Sequence, residues 1–222
     1  MSDVIIFGLS DFAELLYESI KINASKVNQN PVGFVVDDEY YQQKRFCDEY
    51  VYRYSELKKT FSCNEVEILI AVGYSGMNRH RQEIFRRILH DGWAIASYID
   101  PDSIIRTKSL GRGNIIFDTV NIGIGCQVGD GNVFYPGAFL AHHCTIGNFN
   151  FFAPRTSIAG RVQIGDSCFF GNNSCTKDHI QIADQTLVGA GCYMDSNVAS
   201  LGEVYASPKA IKISSFSTQV NL

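Results

Sequence analysis

The sequence predicts a small α/β domain with a Rossmann-like parallel sheet, followed by a left-handed parallel β-helix of hexapeptide repeats. Three coupled patterns predict the β-helix. Every sixth residue from Ile104 to Met194 is apolar at fifteen of sixteen positions. The residue after each of these is often Gly or Ala, and the residue four places after is small or β-branched. A period of six fits neither a helix nor a strand and is typical of a β-helix.

The same register places small side chains inside the coils. Gly and Ala suit sharp corners, because they carry little or no Cβ and Gly reaches positive φ without steric cost. The small column contains Cys126, Cys144, Cys168 and Cys192, without CxxC spacing. We therefore interpret these cysteines as buried apolar side chains in a reducing compartment, and we expect neither disulfides nor a metal site. Thr176 is the one polar position of the ladder, and we interpret it as a tolerated irregularity.

The first hundred residues lack this period and alternate between short apolar runs and helical spacing, which predicts a small parallel sheet. We predict strands at residues 4–7, 31–36, 68–72 and 93–98, and helices at residues 11–22, 54–59 and 79–89. The domain boundary falls at Asp100-Pro101, because the residue before a proline is pushed into an extended conformation. The chain then divides into residues 1–99 and residues 100–222. From residue 199 onward the pattern is lost, and we expect that segment to cap the β-helix.

Composition and charge exclude several function classes. The 222 residues are 45% hydrophobic and 19% charged, which is ordinary for a globular chain. The net charge of −4 gives no basic surface for nucleic acid. The apolar run at residues 4–7 is too short for a signal peptide or a membrane span. We therefore expect a cytoplasmic protein that binds neither nucleic acid nor a membrane.

Residues that could hold a ligand follow the predicted strands of the first domain. Gly8-Leu9-Ser10 lies where a dinucleotide-binding fold has its glycine-rich turn, but Ser10 and Ala13 replace the second and third glycines, which disfavours NAD. A strand-turn-helix start still offers backbone N–H groups to a phosphate, and ligands of parallel sheets bind at the carboxyl ends of the strands. Turn chemistry alone is the alternative for each residue. The clustering favours a nucleotide-sugar site made by Gly8, Ser10, Asp11, Asp37, Asp38 and Gly73.

Two adjacent histidines, His142 and His143, follow the inward Leu140 at a predicted coil corner. A solvent-facing histidine on a rigid coil suits a general base, and a plain surface histidine is the alternative. Cys144 belongs to the inward column, which argues against a Cys–His nucleophile. Catalytic zinc needs three protein ligands, and the third would have to be His179 two coils away, so we expect no metal.

The motif His142-His143-Cys144-Thr145-Ile146-Gly147, preceded by a short α/β domain, resembles the sugar O-/N-acyltransferase family of hexapeptide-repeat proteins. This family includes sialic acid O-acetyltransferases and acetyltransferases that act on nucleotide-linked 4-amino sugars for bacterial glycans. Further pieces that are similar to the family are Ile158-Ala159-Gly160, Ile164-Gly165-Asp166 and Val188-Gly189-Ala190-Gly191.

The resemblance implies an acetyl-CoA-dependent N-acetyltransferase of a nucleotide-linked amino sugar, assembled as a homotrimer with acetyl-CoA between adjacent β-helices. It gives His142 the role of general base and Gly160 the role of backbone N–H donor to the thioester carbonyl. His143 would take part in catalysis beside the base. The cofactor would be contacted by Phe151, Gly160, Gly189 and Ala190. A sugar O-acetyltransferase of the sialic acid type and a non-catalytic scaffold that binds a nucleotide sugar stay open as alternatives.

The chain departs from the family pattern at three places. His143 stands where the family usually has an Asp or Glu that orients the base, and an imidazole is a weaker partner for a developing imidazolium. Phe151 stands where a second histidine commonly helps to hold the cofactor. The closing Gly-x-Pro-Ala motif is matched by Ala-Ser-Pro-Lys-Ala at residues 206–210.

Overall fold

The computed structural model describes residues 1–208 and begins with an α/β domain. One sheet has the strand order β3-β4-β2-β1-β5-β6, in which the β3–β4 pair is antiparallel and the other pairs are parallel. Its elements are β1 (Ser2–Phe7), α1 (Asp11–Ile22), β2 (Gln29–Val36), β3 (Arg45–Phe46), β4 (Glu49–Arg53), α2 (Leu57–Thr60), β5 (Val66–Ile70), α3 (Arg79–His90) and β6 (Ala94–Ile95).

Most of the predicted elements of this domain are present. Helix α1 has the predicted bounds, and its buried face includes Phe12, Leu16 and Ile20. The helix predicted at residues 54–59 is a 3₁₀ turn followed by α2. The fourth strand, predicted at residues 93–98, is present but shorter, because only β6 pairs with β5 and the next strand, at residues 98–99, belongs to the β-helix. The β3–β4 hairpin was not predicted, since it alternates charged and aromatic residues without a clear apolar period.

The rest of the described chain forms a parallel β-helix of two-residue strands. In chain order they are β7 (Tyr98–Ile99), β8 (Ile104–Ile105), β9 (Ser109–Leu110), β10 (Ile115–Ile116), β11 (Asn121–Ile122), β12 (Gln127–Val128), β13 (Val133–Phe134), β14 (Phe139–Leu140), β15 (Thr145–Ile146), β16 (Phe151–Phe152), β17 (Ser157–Ile158), β18 (Gln163–Ile164), β19 (Phe169–Phe170), β20 (Cys175–Thr176), β21 (Gln181–Ile182), β22 (Leu187–Val188), β23 (Tyr193–Met194) and β24 (Val204–Tyr205).

These strands stack into three parallel sheets, which fit the left-handed β-helix predicted from the repeat. Face 1 has the order β24-β22-β19-β16-β13-β10-β7, face 2 the order β23-β20-β17-β14-β11-β8, and face 3 the order β21-β18-β15-β12-β9. The second residue of each strand points into the coil, so the predicted ladder forms the core from Leu110 to Met194. Inside it, the rings of Phe134 and Phe152 stack with centroids 4.6 Å apart.

The ladder differs from the prediction at both ends. Ile105, not Ile104, is the first inward rung of face 2, because Ile105 pairs with Ile122 while Ile104 is 47% exposed. The turn between Ile105 and Leu110 is one residue shorter than the other turns, and adjacent isoleucines conceal this in the sequence. The pattern also continues past residue 199 in shortened form, since β24 still pairs with β22. The predicted cap from residue 209 onward, including Lys209 and Ala210, lies outside the described residues.

The column of small residues is inside the coils, as predicted. Cys126, Cys144, Cys168 and Cys192 are buried, and all seven cysteines of the chain are free thiols. Burial raises the pKa of Cys168 to about 12, so this thiol stays protonated at neutral pH. The Cys168 side chain therefore acts as a small apolar group of the core.

The α/β domain packs along face 1 of the β-helix. The outward side chains of this face, including Ile115, Val133 and Phe151, are buried in one cluster with α1 and the centre of the first sheet. The Phe12 ring of α1 lies 6.4 Å from the Phe151 ring at a steep angle. Face 1 thus forms the interface between the β-helix and the α/β domain.

Arg81 of α3 links the α/β domain to the β-helix through hydrogen bonds. Its side chain is 1% exposed, and its five N–H groups donate to backbone carbonyls at 3.0–3.3 Å. Burial lowers the pKa of Arg81 to about 9, which leaves the guanidinium charged at neutral pH. The accepting carbonyls belong to Val72 and Gly73 after β5 and to Gly131, Phe149 and Asn150 in the coils.

Candidate active site

His142 lies at the corner where face 2 turns into face 3, just after β14. Its exposed ring has its Nδ1 atom 3.1 Å from Nδ1 of His143. His143 has a φ of 57°, the left-handed conformation that this tight corner uses. Only one of the two nitrogens can carry the shared hydrogen. When His142 donates it, Nε2 of His142 keeps its lone pair and can accept a proton from a substrate.

Gly160 occupies the same corner one coil further on, directly beside the His142 ring. A Cβ atom at Gly160 would lie 2.7 Å from Cε1 and 2.8 Å from Nε2 of His142. A side chain there would displace the imidazole, so it is the absent Cβ of Gly160, and not its φ, that lets the ring take this position. The Nε2 atom and the Gly160 backbone therefore border the same small volume.

The corner that carries residues 142, 160 and 178, here called the histidine corner, leaves the Gly160 N–H without an acceptor among residues 1–208. The corner between face 3 and face 1 is different. There the N–H groups of Asp130 and Asp166 donate to side-chain oxygens of Asn148 and Asp184, one coil further on, at 2.9 and 2.8 Å. An unpaired N–H beside a histidine is suited to stabilise a developing oxyanion.

Gly189 and Ala190 lie at another corner, where face 1 turns into face 2. The Gly189 N–H donates to the Tyr205 carbonyl at 2.8 Å, and the Ala190 carbonyl accepts a hydrogen bond from the Ser207 hydroxyl at 2.7 Å. One side of the triangular coil, about six residues or roughly 20 Å, separates this corner from the histidine corner. One chain alone therefore does not bring Gly189 and Ala190 to His142.

Phe151 points outward from face 1 and is only 5% exposed. Its ring packs between the rings of Tyr74 and Tyr135, with centroids 5.1 and 5.2 Å away. We expected Phe151 to contact the cofactor. This position does not fit that role, because the side chain is buried between the two domains.

The parallel pairing of β1 with β2 and β5 brings Gly8, Asp37 and Gly73 to one edge of the sheet. Gly8 has a φ of 128°, and a Cβ atom there would lie 2.6 Å from the Ala71 carbonyl oxygen, so glycine is needed for this turn. A Cβ atom at Gly73 would meet no atom within 4 Å, which leaves the edge open there. The carboxyl edge predicted from the sequence therefore exists, and it is open at Gly73.

Ser10 and Asp11 are exposed at the start of α1. The Ser10 carbonyl accepts hydrogen bonds from the N–H groups of Ala13 and Glu14, while the Ser10 side chain does not cap the helix. The first N–H groups of α1 are therefore available to an anion. The Asp11 carboxylate beside them suits a hydroxyl group of a ligand better than a phosphate.

Asp37 and Asp38 already have partners within the chain. Oδ1 of Asp37 lies 2.6 Å from Nη2 of Arg87 in an ion pair. Asp38 accepts a 2.6 Å hydrogen bond from the Ser55 hydroxyl, and this bond holds the pKa of Asp38 below its usual value. Both carboxylates thus have polar partners within the chain, and their contact with a sugar nucleotide stays a prediction.

Two tyrosines near this edge were not predicted as site residues. Tyr74 is 54% exposed, and its ring centroid lies 4.6 Å from that of Phe169. Burial raises the pKa of Tyr135 to about 12, with smaller contributions from nearby Tyr74 and Asp11. These groups gather where the sheet edge meets face 1. A single sequence carries no signal for them, because ligand-facing and core-facing aromatic residues look alike.

Residues 1–208 hold neither a cluster of metal ligands nor a membrane-spanning helix. No three His, Cys, Asp or Glu side chains come together there as metal ligands. His179 pairs instead with Asp178, with 2.9 Å between Nδ1 and Oδ2. No helix in that part of the chain combines the length and the apolar character needed to cross a bilayer.

The fold is an α/β domain joined to a parallel β-helix of hexapeptide coils, and known structures share this fold. No protein-family model and no curated protein matches the sequence. The acetyltransferase domain of PglB from Neisseria gonorrhoeae is similar with a TM-score of 0.78 at 19% identity, covering 92% of this chain and 96% of that chain. Its complex with acetyl coenzyme A gives 0.72 at 20%, covering 86% and 92%. PerB from Caulobacter crescentus, in complex with CoA and GDP-perosamine, gives 0.76 at 22%, covering 90% and 93%.

Proposed function

We propose that the protein is an acetyl-CoA-dependent N-acetyltransferase that acts on a nucleotide-linked amino sugar in bacterial surface-glycan biosynthesis. The observation that carries the proposal is the contact of the His142 ring with Gly160, which joins a proton acceptor to a free backbone N–H. The likeness to the PglB domain and to PerB supports the substrate class, because those structures hold acetyl-CoA, or CoA with GDP-perosamine.

In the proposed reaction, Nε2 of His142 takes a proton from the sugar amine, directly or through a water, while the amine nitrogen attacks the thioester carbonyl. The Gly160 N–H donates to the carbonyl oxygen as it becomes negative, an effect of about 3 kcal/mol per donor in other acyl transfers. The thiolate of CoA then leaves and receives the proton that His142 holds. No covalent enzyme intermediate is required, because both substrates meet at one corner.

The proposed sugar site and the base lie on opposite sides of one chain, which favours active sites between subunits. The α/β domain covers face 1, whereas the histidine corner is where face 2 and face 3 meet. One coil side is roughly 20 Å long, so a sugar held at the sheet edge lies far from the His142 of its own chain. A homotrimer of parallel β-helices would bring the histidine corner of one subunit to the sheet edge of another.

Acetyl-CoA would lie in the groove between two such β-helices. The Gly160 corner fits the thioester end, because the missing Cβ leaves space beside the His142 ring. Gly189 and Ala190, at the other corner, would contact the cofactor from the neighbouring subunit. Phe151 is not included, because it is buried. Seven free thiols agree with a reaction in the cytoplasm.

Replacing His142 by Ala tests the proposal. We expect turnover to fall by about two to four orders of magnitude, because general base catalysis is lost, while affinity for acetyl-CoA stays near that of the wild type. The measurement is release of free CoA thiol with UDP-, GDP- and dTDP-linked amino sugars and with free sialic acid. His80→Ala, which changes an exposed histidine on α3, is the matched control and should keep full activity.

Each outcome of this assay selects one function. Full activity of His142→Ala would remove the general-base role from this residue. Thiol release with sialic acid alone would change the acceptor from an amine to a hydroxyl. A wild-type protein without thiol release and without acetyl-CoA binding in calorimetry would be a scaffold that binds a nucleotide sugar.

A further inference from the structure

Thr176 interrupts the apolar ladder one coil beyond Ile158, close to the histidine corner. It is the second residue of β20, and its side chain is 6% exposed inside the coil. Its hydroxyl oxygen accepts a 3.0 Å hydrogen bond from the Ala159 N–H. Ala159 directly precedes Gly160, so this polar rung contacts the backbone beside the proposed oxyanion donor. The sequence interpretation of Thr176 as a tolerated irregularity does not account for this bond.

This hydrogen bond replaces a regular bond between coils. In the two preceding coils, the N–H groups of Gly123 and Ala141 donate to the backbone carbonyls of Leu140 and Ile158, both at 2.9 Å. At Ala159 the acceptor is a side-chain oxygen instead, and the β17–β20 pair keeps only one pair of backbone partners where its neighbours keep two. The Thr176 hydroxyl therefore orients the peptide that leads into the histidine corner at Ala159. The corresponding peptides at Gly123 and Ala141 are held by backbone carbonyls instead.

We propose that Thr176 is a positioning residue of the acetyl transfer, because its hydroxyl, through the Ala159 N–H, sets the direction of the Gly160 N–H. This inference rests on the proposed function. The ladder itself does not need a hydroxyl, since its other rungs are apolar and a buried polar group is costly unless it is bonded. Hydrogen bonds to an oxyanion depend on direction, so a small rotation of the Ala159–Gly160 peptide weakens the donor.

Thr176→Val tests this role, because valine keeps the shape of threonine and removes the acceptor. We expect kcat to fall about tenfold, while KM for both substrates and the Kd of acetyl-CoA change less than about twofold, since Gly160 would lose part of a donor effect worth 10²–10³ in kcat. Thr176→Ser restores the acceptor and should recover most of the lost kcat. Thr186→Val is the matched control, because Thr186 is also buried and its hydroxyl donates to the Ala183 carbonyl away from the histidine corner.

A second acyl donor separates positioning from a general loss of stability. In the dithioester analogue of acetyl-CoA, sulfur replaces the carbonyl oxygen and accepts hydrogen bonds weakly. The ratio of wild-type to Thr176→Val turnover should therefore shrink toward one with this donor.

Three results would overturn the inference: equal kcat for wild type and Thr176→Val, an equal loss in Thr186→Val, or an undiminished ratio with the dithioester. A wild type without thiol release would instead refute the proposed function, and the role of Thr176 with it.

Discussion

Replacing His143 by Asp tests how the base at the histidine corner is oriented. The Nδ1 atoms of His142 and His143 are 3.1 Å apart. An aspartate Oδ1 is separated from Cβ by the same number of bonds as a histidine Nδ1, so it reaches the same place. Aspartate also tolerates the left-handed backbone at this position. The substitution therefore supplies a charged acceptor to His142 without moving the backbone.

The size of the effect follows from the distance and the exposure of the pair. A carboxylate and an imidazolium whose charges lie about 4 Å apart attract by about 1 kcal/mol in water and about 4 kcal/mol at an effective dielectric constant of 20. Both rings are exposed, which favours the lower part of this range, about 1–2 kcal/mol. We expect kcat to rise about 5- to 30-fold, because the imidazolium forms during the reaction and not before it.

The assay is thiol release at saturating concentrations of both substrates, at low and at high ionic strength. His143→Asn is the control, since it has the same shape as aspartate without the charge, and its kcat should stay within about twofold of the wild type. The gain of His143→Asp should shrink at high salt, because exposed charges are screened. Equal rates for the Asp and Asn variants would show that a charge at this position does not assist the base.

Two further substitutions test the packing around the site. Gly160→Ala places a methyl group 2.7–2.8 Å from the His142 ring, so steady-state kinetics should give a kcat about 10- to 100-fold lower; an unchanged kcat would contradict this contact. Arg81→Met removes the guanidinium donors from five carbonyls, of which that of Asn150 keeps the Val133 N–H, and should lower the free energy of unfolding in urea by about 3–5 kcal/mol. Arg79→Met, at an exposed position on the same helix, should change it by less than about 0.5 kcal/mol, and similar losses in both variants would refute the role of Arg81.

The β-helix could be predicted from the sequence because each of its short strands repeats the same pattern after six residues. Each coil between Leu110 and Met194 repeats the same inward position, so the core follows from counting. The predicted inward residue at Ile104 was wrong because Ile104 and Ile105 satisfy the pattern equally well. Only the pairing of Ile105 with Ile122 distinguishes them. The β3–β4 hairpin was missed for a related reason, since strands of two and five residues are too short to show a repeating apolar face.

The candidate site was predictable only where it depends on the period. Positions 142 and 160 are one coil apart, so the period alone predicts that they are neighbours at the same corner of the β-helix. Which face the other domain covers is not encoded in the period. Phe151 was assigned to the cofactor by its place in the family pattern, whereas it lies between the domains. Thr176 is visible as a polar rung, but its partner, the Ala159 N–H, is a backbone group that every residue carries.

The α/β domain that covers face 1 changes how the β-helix can unfold. Repeat proteins ordinarily lose their end repeats one at a time, because each repeat contacts only its neighbours. Here one domain buries outward side chains of successive coils, among them Ile115, Val133 and Phe151, so these coils must separate from it together. The cover ends before Val204, which is 69% exposed on the same face. Cooperativity therefore falls along the axis, and the coil that carries His142 lies in the part that unfolds as one unit.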